Sequence, residues 1–169
     1  MVFRCIAGDG TRSPIEPSAS PHGRFNDGRR LVLYTASSAD GACAEYFRRR
    51  PELLPLQARV KLRVVQVSVS AGSVLNVTTA DRAEAAGIAA ERLVSSDADE
   101  DKRYRECREL ADRVDAAGGN GIQHLNAALR DGKTWNAALF GTRSDGWEVH
   151  GDVTDVATPT IDAASVHAL

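Results

Sequence analysis

The sequence predicts a single α+β domain, with short strands in a mixed or antiparallel sheet and about three helices. Apolar segments of strand length recur along the chain, and a few segments with helical periodicity lie between them. The connections are long and rich in Gly, Ser and Pro, which is typical of loops. Several short strands with few helices and long connections favour the α+β class. The chain of 169 residues has the length of one domain, and we assign residues 1–169 to it.

The first third of the chain predicts two strands and one helix. The apolar segment Val2–Ile6 predicts a short strand, and a long loop follows it. Arg30–Ala36 predicts a buried strand. Ser38 or Asp40 is suited to cap the next helix, because a side-chain oxygen can accept a hydrogen bond from the free N–H groups of the first turn. Pro51 ends this helix, since proline cannot continue it.

The rest of the chain predicts two helices and five further strands. Asp97–Ala117 is the longest helical segment, and its acidic start suits the positive end of the helix dipole. Thr79–Gly87 predicts a short helix, and residues 157–169 form a weakly patterned tail. The predicted strands are Leu62–Val69, Val74–Val77, Ile122–Leu125, Asn136–Phe140 and Trp147–Val153.

Composition and charge argue against several classes of protein. Nucleic-acid-binding domains usually have a basic face and a high pI. The net charge of −2 does not favour such a face, so direct nucleic-acid binding is not expected. Cys5, Cys43 and Cys107 are odd in number and form no CxxC pair, so neither a disulfide framework nor a metal site is expected. This cysteine usage fits a reduced, cytoplasmic compartment. The chain contains no long apolar run, so neither a signal peptide nor a membrane span is expected.

Common catalytic motifs are absent from the sequence. It contains no P-loop, no GxGxxG, no HExxH and no GxSxG, which disfavours kinases, Rossmann dehydrogenases, zincins and ordinary serine hydrolases. Its four histidines are scattered, and each is expected to be non-catalytic. Any chemistry must therefore come from residues that no such motif marks.

Several short segments nevertheless follow one another in a definite order. Taken singly, Arg4 and Arg24 are expected at the surface and Tyr34 in the core. Glu45 could simply form an ion pair three or four residues along its helix, which stabilises a helix only slightly. The segments are FRC at 3–5, GRFNDG at 23–28, LVLYTAS at 31–37, ACAE at 42–45, ELADRVDAAGGNGI at 109–122 and NAALF at 136–140.

In this order the segments resemble the RES domain, a family of bacterial toxins that consume NAD. The resemblance covers roughly residues 2–141, followed by the predicted C-terminal strand at about 147–153. It implies an ADP-ribosyltransferase-like fold, with NAD as the substrate and no separate cofactor. It also implies a cognate antitoxin or immunity protein as a partner, for a toxin that acts in the cytoplasm or is delivered as an effector.

The resemblance further implies roles for individual residues. Arg24, Tyr34 and Glu45 are expected to be catalytic. A guanidinium offers paired donors to the pyrophosphate of NAD. A fixed carboxylate would stabilise the positive charge that develops on the ribose when nicotinamide leaves. The residues expected to bind NAD or phosphate are Arg4, Arg24, Phe25, Asn26, Tyr34 and Asn126.

The sequence departs from the family pattern at the serine for which the family is partly named. Asn126, in the segment HLNAA, stands where that serine is expected, and Ser95 and Ser96 lie upstream. An asparagine amide can still hydrogen-bond a phosphate or a ribose hydroxyl. The leading expectation is an NAD phosphorylase or NAD glycohydrolase. The alternatives are a mono-ADP-ribosyltransferase that modifies a macromolecule, and a non-catalytic domain that binds a nucleotide or a partner.

Overall fold

The fold is built from residues 1–8, 13–95, 99–141 and 147–167, which the computed structural model describes. No helix within these ranges is long and apolar enough to span a membrane. The strands are β1 (Val2–Ala7), β2 (Val32–Ala36), β3 (Leu62–Ala71), β4 (Val74–Val77), β5 (Gly121–Leu125), β6 (Trp135–Phe140) and β7 (Trp147–Val156). The α-helices are α1 (Ala39–Arg48), α2 (Ala80–Ala85), α3 (Ala90–Leu93) and α4 (Glu100–Ala116), and the 3₁₀ helices are Pro51–Arg59 and Ala163–Ser165.

The strands of the described residues form one mixed sheet in the order β4-β5-β6-β2-β1-β3-β7. β4 and β5 run parallel, and the other neighbouring pairs are antiparallel. β2 lies between β1 and β6, with Tyr34 opposite Ala138 and Ala36 opposite Phe3. The sheet therefore brings together segments that lie far apart in the sequence, and the candidate site forms beside these three strands.

Each strand that the sequence predicts is present, with some ends shifted by a few residues. α1 begins after Ser38, whose hydroxyl oxygen accepts a hydrogen bond from the Gly41 N–H at 3.0 Å. α4 begins at Glu100 and is capped by Asp99. Its predicted start at Asp97 lies outside the described residues.

Three helical segments of the described residues had no counterpart in the predictions: α3 and the 3₁₀ helices Pro51–Arg59 and Ala163–Ser165. Pro51 follows α1, as predicted, but it also starts the 3₁₀ helix Pro51–Arg59, because the fixed φ of proline suits the first helical position. Leu54 of this helix is buried. α3 is capped by no side chain, so the usual start signal of a helix is missing from its sequence.

Two buried clusters of side chains hold the helices against the sheet. The first joins Phe25 and residues of β2 and β5 to α2 and α4, and Tyr34 packs against it. The second joins Phe47 of α1 to Ile161 of the tail, and Tyr46 packs against it. Tyr34 and Tyr46 both line the cavity described below, so the cavity lies where the two clusters meet.

The C-terminal tail is held by individual side chains rather than by regular secondary structure. The Gln57 amide donates to the Ile161 carbonyl at 2.7 Å and accepts from the Ile161 N–H at 2.8 Å. Arg48 Nε donates to the His167 carbonyl at 3.1 Å. Such contacts leave no periodic pattern in the sequence, which explains why the tail is weakly patterned and yet ordered against the domain.

Candidate active site

A cavity of about 280 Å³ opens beside β1, β2 and α1. Four of the predicted site residues, Arg4, Arg24, Tyr34 and Glu45, line it together. The loop before β2 forms one side of the cavity, and it is tied to the sheet by two backbone hydrogen bonds between Ser18 and Val32, at 2.9 and 3.0 Å. The cavity thus gathers side chains from the start of the chain, this loop, β2 and α1.

Glu45 extends from α1 toward the turn that follows β5. One of its carboxylate oxygens, Oε1, accepts hydrogen bonds from the N–H groups of Ala127 at 2.9 Å and Ala128 at 3.1 Å and from Asn136 Nδ2 at 3.2 Å. Among the described residues, none donates a hydrogen bond to the other oxygen, Oε2. One oxygen therefore anchors the carboxylate, and the second stays available to a ligand.

Nearby positive charges keep Glu45 ionised. Burial alone would raise the pKa of this carboxyl group, but the charges of Arg48, Arg24 and Arg49 outweigh it and hold the pKa below the ordinary value of 4.5. A carboxylate in such surroundings is negatively charged at neutral pH. It can therefore stabilise a positive charge that develops beside it.

Arg24 is a buried cation with few protein partners. Its side chain is only 4% exposed, its Nη1 donates to the Arg92 carbonyl at 3.3 Å, and its guanidinium lies 5.0 Å from the centre of the Tyr104 ring. Within the described part of the chain, no carboxylate forms an ion pair with it. Burying a charge is costly unless a counter-charge is supplied, so this guanidinium is suited to an anionic ligand.

Positively charged side chains outnumber negatively charged ones among the described residues that line the cavity. The guanidinium groups of Arg4, Arg24 and Arg49 contribute positive charge, and Glu45 contributes the one carboxylate among the described lining residues. Arg4 is positioned by a hydrogen bond from its Nη1 to the Glu16 carbonyl at 2.8 Å. The excess of positive charge favours a ligand that carries negative groups.

Tyr34 presents a neutral hydroxyl group to the cavity. Its hydroxyl oxygen accepts a hydrogen bond from the Phe25 N–H at 3.1 Å, and its O–H donates to no acceptor among the described residues. Burial outweighs this hydrogen bond and the charges of Arg49 and Arg24, and it raises the pKa of Tyr34 to about 12. The guanidinium of Arg49 lies 5.6 Å from the centre of the Tyr34 ring.

Three predicted ligand-binding residues do not line the cavity. Phe25 is fully buried in the core, although its backbone N–H holds Tyr34. Asn26 is also buried and holds its own loop, donating to the Ser18 carbonyl at 2.7 Å and accepting from the Gly28 N–H at 2.9 Å. Asn126 is fully buried, and the turn after β5 and its neighbours use both ends of its amide. Their placement supports structural roles.

His124 and Asn136 line the cavity but were not among the predicted site residues. His124 Nδ1 donates to the Leu125 carbonyl at 2.8 Å, which leaves Nε2 as an acceptor that no donor of the described residues occupies. Burial and the charge of Arg24 outweigh the attraction of Glu45 and lower the pKa of His124 to about 3. One signal in the sequence could have pointed to His124. It lies two residues after the core residue Ile122 in β5, and side chains two residues apart in a strand face the same side of the sheet.

Comparisons with known proteins identify the fold and the family of this chain. A chain in the crystal structure of the M. tuberculosis MbcT-MbcA toxin-antitoxin complex superposes with a TM-score of 0.68, over 93% of this chain and 84% of that chain. The two share 15% sequence identity, so the likeness concerns the fold, and it confirms the predicted α+β class. A search of curated proteins gave no match. A family model described as the RES domain matches residues 1–159, and the protein therefore belongs to the RES domain family.

Proposed function

We propose that this protein degrades NAD, as a phosphorylase or glycohydrolase that cleaves the bond between nicotinamide and ribose. One observation carries the proposal. The ionised Glu45, anchored through one oxygen, faces the same cavity as the buried guanidinium of Arg24, with which no carboxylate of the described residues forms an ion pair. Membership of the RES family supports the choice of NAD among ligands that combine a cationic ring with a pyrophosphate.

The chemistry assigns a task to each charge. When the glycosidic bond breaks, its electron pair moves to the ring nitrogen, so nicotinamide leaves as a neutral molecule and the ribose becomes oxocarbenium-like. The free oxygen of Glu45 stabilises that positive charge. Water or phosphate then bonds to the anomeric carbon, and attacking water releases a proton. Arg24 and Arg4 supply donors for the pyrophosphate of NAD or for an incoming phosphate.

The neutral groups of the cavity complement the two charges. The Tyr34 O–H is free to donate to a ribose hydroxyl or to the nicotinamide carboxamide, and His124 Nε2 is free to accept from either. The volume of about 280 Å³ lies near the lower end of the range for small-molecule sites, roughly 300–1,000 Å³. It therefore suits the nicotinamide riboside end of the dinucleotide, with the rest of the ligand at the mouth of the cavity.

The biological role that fits this activity is that of the toxin in a toxin–antitoxin pair. Loss of NAD would stop the growth of any cell in which the enzyme is active. The structurally similar chain comes from a toxin-antitoxin complex, which supports a protein partner for this chain as well. Expression in a bacterial host is expected to arrest growth, and the Glu45→Gln variant is expected to be harmless.

Release of nicotinamide is the direct test. The purified protein is incubated with NAD, with and without phosphate, and the products are separated by chromatography. Glu45→Gln keeps the shape of the side chain but removes its charge, and it should abolish most of the release. Glu84→Gln, at an exposed position of α2, is the matched control and should behave as the wild type. If the folded wild type releases no nicotinamide under either condition, the proposal fails.

The same reaction distinguishes the two alternative functions. NAD labelled in its adenylate half would leave label on protein or nucleic acid if the enzyme is an ADP-ribosyltransferase. It would yield free ADP-ribose or its phosphate if the enzyme degrades NAD. Binding of NAD by calorimetry without any turnover would indicate a non-catalytic domain.

A further inference from the structure

The polarity of the hydrogen bonds around Glu45 is fixed by backbone groups. The N–H groups of Ala128 and Leu129 donate to Asn126 Oδ1 at 3.0 and 2.9 Å, so this end of the Asn126 amide must be its oxygen. The other end, Nδ2, therefore faces Asn136 Oδ1 at 2.9 Å and the Gly41 carbonyl at 3.2 Å. Both of these oxygens need a donor, and Nδ2 supplies it. The Asn126 amide therefore has one orientation.

Asn126 in turn fixes the orientation of Asn136. Because Asn136 Oδ1 accepts from Asn126, its Nδ2 must be the end that reaches Glu45 Oε1, at 3.2 Å. A flipped Asn136 would place its oxygen against the Glu45 carboxylate and its nitrogen against the nitrogen of Asn126. Both amides are buried, with Asn126 fully enclosed and Asn136 only 7% exposed, so water does not compete for these contacts.

We propose that Asn126 and Asn136 are positioning residues that hold the Glu45 carboxylate through one oxygen and leave the other oxygen free for the ribose of a pyridine nucleotide. The catalytic consequence rests on the proposed function, whereas the hydrogen-bonded chain stands on geometry alone. Asn126 does not line the cavity, so it acts through Asn136 and through the turn that also donates to Glu45.

This role suits an asparagine at the position where the resemblance to the RES family leads us to expect a serine. A serine hydroxyl could accept from the N–H groups of Ala128 and Leu129, as cap residues do. It has a single hydrogen, however, and its side chain is shorter. It therefore cannot donate to both Asn136 and the Gly41 carbonyl, as the Asn126 amide does. The asparagine thus adds a donor that orients Asn136.

Asn126→Ser is the critical variant, because it introduces the residue that the resemblance to the RES family leads us to expect at this position. If Asn126 positions Glu45, Asn126→Ser leaves Asn136 without the partner that turns its Nδ2 toward Glu45. Loss of that hydrogen bond from Asn136 to a charged group should lower kcat for nicotinamide release about tenfold, with little change in KM. The Glu45 pKa should rise, and the acidic limb of the pH profile should move to higher pH. If Asn126 instead binds substrate in place of the serine, kcat is retained or increases, and the proposal is overturned.

A second measurement needs no NAD turnover. The Glu45 carboxyl pKa is followed by carbon-13 NMR titration of the ligand-free protein, in the wild type, in Asn126→Ser and in Asn136→Leu. Asn136→Leu keeps the size of the side chain but removes the donor, so it serves if Asn126→Ser does not fold. Asn76→Ser, on the edge strand β4, is the matched control and should leave the pKa unchanged. An unchanged Glu45 pKa in the folded variants would overturn the proposal, even if the wild type proves inactive toward NAD.

Discussion

Gly23 approaches Tyr34 so closely that a Cβ atom at position 23 would lie 2.5 Å from the Tyr34 hydroxyl oxygen. The same oxygen accepts the hydrogen bond from the Phe25 N–H at 3.1 Å. The glycine therefore lets the turn before β2 close onto the tyrosine and form one edge of the cavity. The glycine of the GRFN segment is required by this contact and not merely by a flexible turn.

Gly23→Ala should displace the Tyr34 side chain and break its hydrogen bond with Phe25. Overpacking of this kind costs about 1–3 kcal/mol, so the free energy of unfolding should fall by that amount. Nicotinamide release should slow as well, because the Tyr34 hydroxyl leaves its position in the cavity. Urea unfolding and the release assay measure the two effects.

The double variant Gly23→Ala/Tyr34→Phe tests the cause of that loss. Phenylalanine lacks the oxygen that the new Cβ atom would meet, so the double variant should be more stable than the sum of the single effects predicts. If the two substitutions change the free energy of unfolding additively, the contact between positions 23 and 34 is not the cause of the stability lost in Gly23→Ala.

His124 should make the stability of the protein depend on pH. Its pKa is lowered to about 3 in the folded chain, by burial and by the charge of Arg24, from an ordinary value of 6.5. Between these values the unfolded chain binds a proton that the folded chain does not, so the free energy of unfolding should decrease as the pH falls through this window. Glu45 titrates lower in the folded state than its ordinary value of 4.5, so the interval from pH 6.5 to about 5 isolates His124.

His124→Gln should flatten that dependence. Glutamine retains an amide that can replace the hydrogen bond to Leu125 but takes up no proton. Urea unfolding at pH 7 and pH 5 should then give similar stabilities for the variant and a lower stability at pH 5 for the wild type. Equal pH dependence in both proteins would contradict the neutral, buried state of His124.

The strands and the long helix could be predicted because their signals are local. Alternating apolar residues mark β3, and the acidic start of α4 marks a helix N-terminus. The 3₁₀ helix Pro51–Arg59 and the packing of Ile161 could not be predicted in this way. Both depend on tertiary contacts, such as the Gln57 side chain that bridges the two segments.

The candidate site could be predicted only in part, for a similar reason. Arg4, Arg24, Tyr34 and Glu45 lie in segments whose order resembles the RES family, and the structure brings them to one cavity. The placement of Asn126 behind that cavity depends on which donor reaches which acceptor across the β5–β6 connection. No spacing in the sequence contains that information, and only the folded arrangement supplies it.

The two neighbouring thiols of Cys5 and Cys43 yield a prediction about reactivity. Their sulfur atoms lie 3.5 Å apart, and the hydrogen bond between them, together with burial, raises the pKa of Cys5. Since the thiolate is the reactive form, Cys5 should react slowly with iodoacetamide although it lines the cavity. Cys43→Ala removes the partner and should accelerate alkylation of Cys5, followed by peptide mass spectrometry. Cys107, whose pKa is raised mainly by burial, is the internal control, and equal rates at Cys5 in both proteins would contradict the prediction.

Gly41 connects the start of α1 to the amide chain that holds Glu45. A Cβ atom at this position would lie 2.5 Å from Thr134 Cγ2 and 3.1 Å from Asn126 Nδ2. Gly41→Ala improves helix propensity by about 1 kcal/mol. The new methyl group must displace the half-buried Thr134 and the buried Asn126 amide, however, which costs about 1–3 kcal/mol. We expect a net loss of stability, and a lower kcat because the Asn126 amide is pushed away from Asn136.

Thr134→Ser distinguishes this contact from a general effect on the helix. The substitution removes the Cγ2 atom but keeps the hydroxyl, which donates to Asp131 Oδ2 at 2.7 Å. Thr134→Ser alone should therefore resemble the wild type, and Gly41→Ala/Thr134→Ser should recover much of the lost stability and activity. Thermal unfolding and nicotinamide release provide the two readouts. If Gly41→Ala is as stable and as active as the wild type, the buried amide at Asn126 tolerates displacement, and its position does not control Glu45.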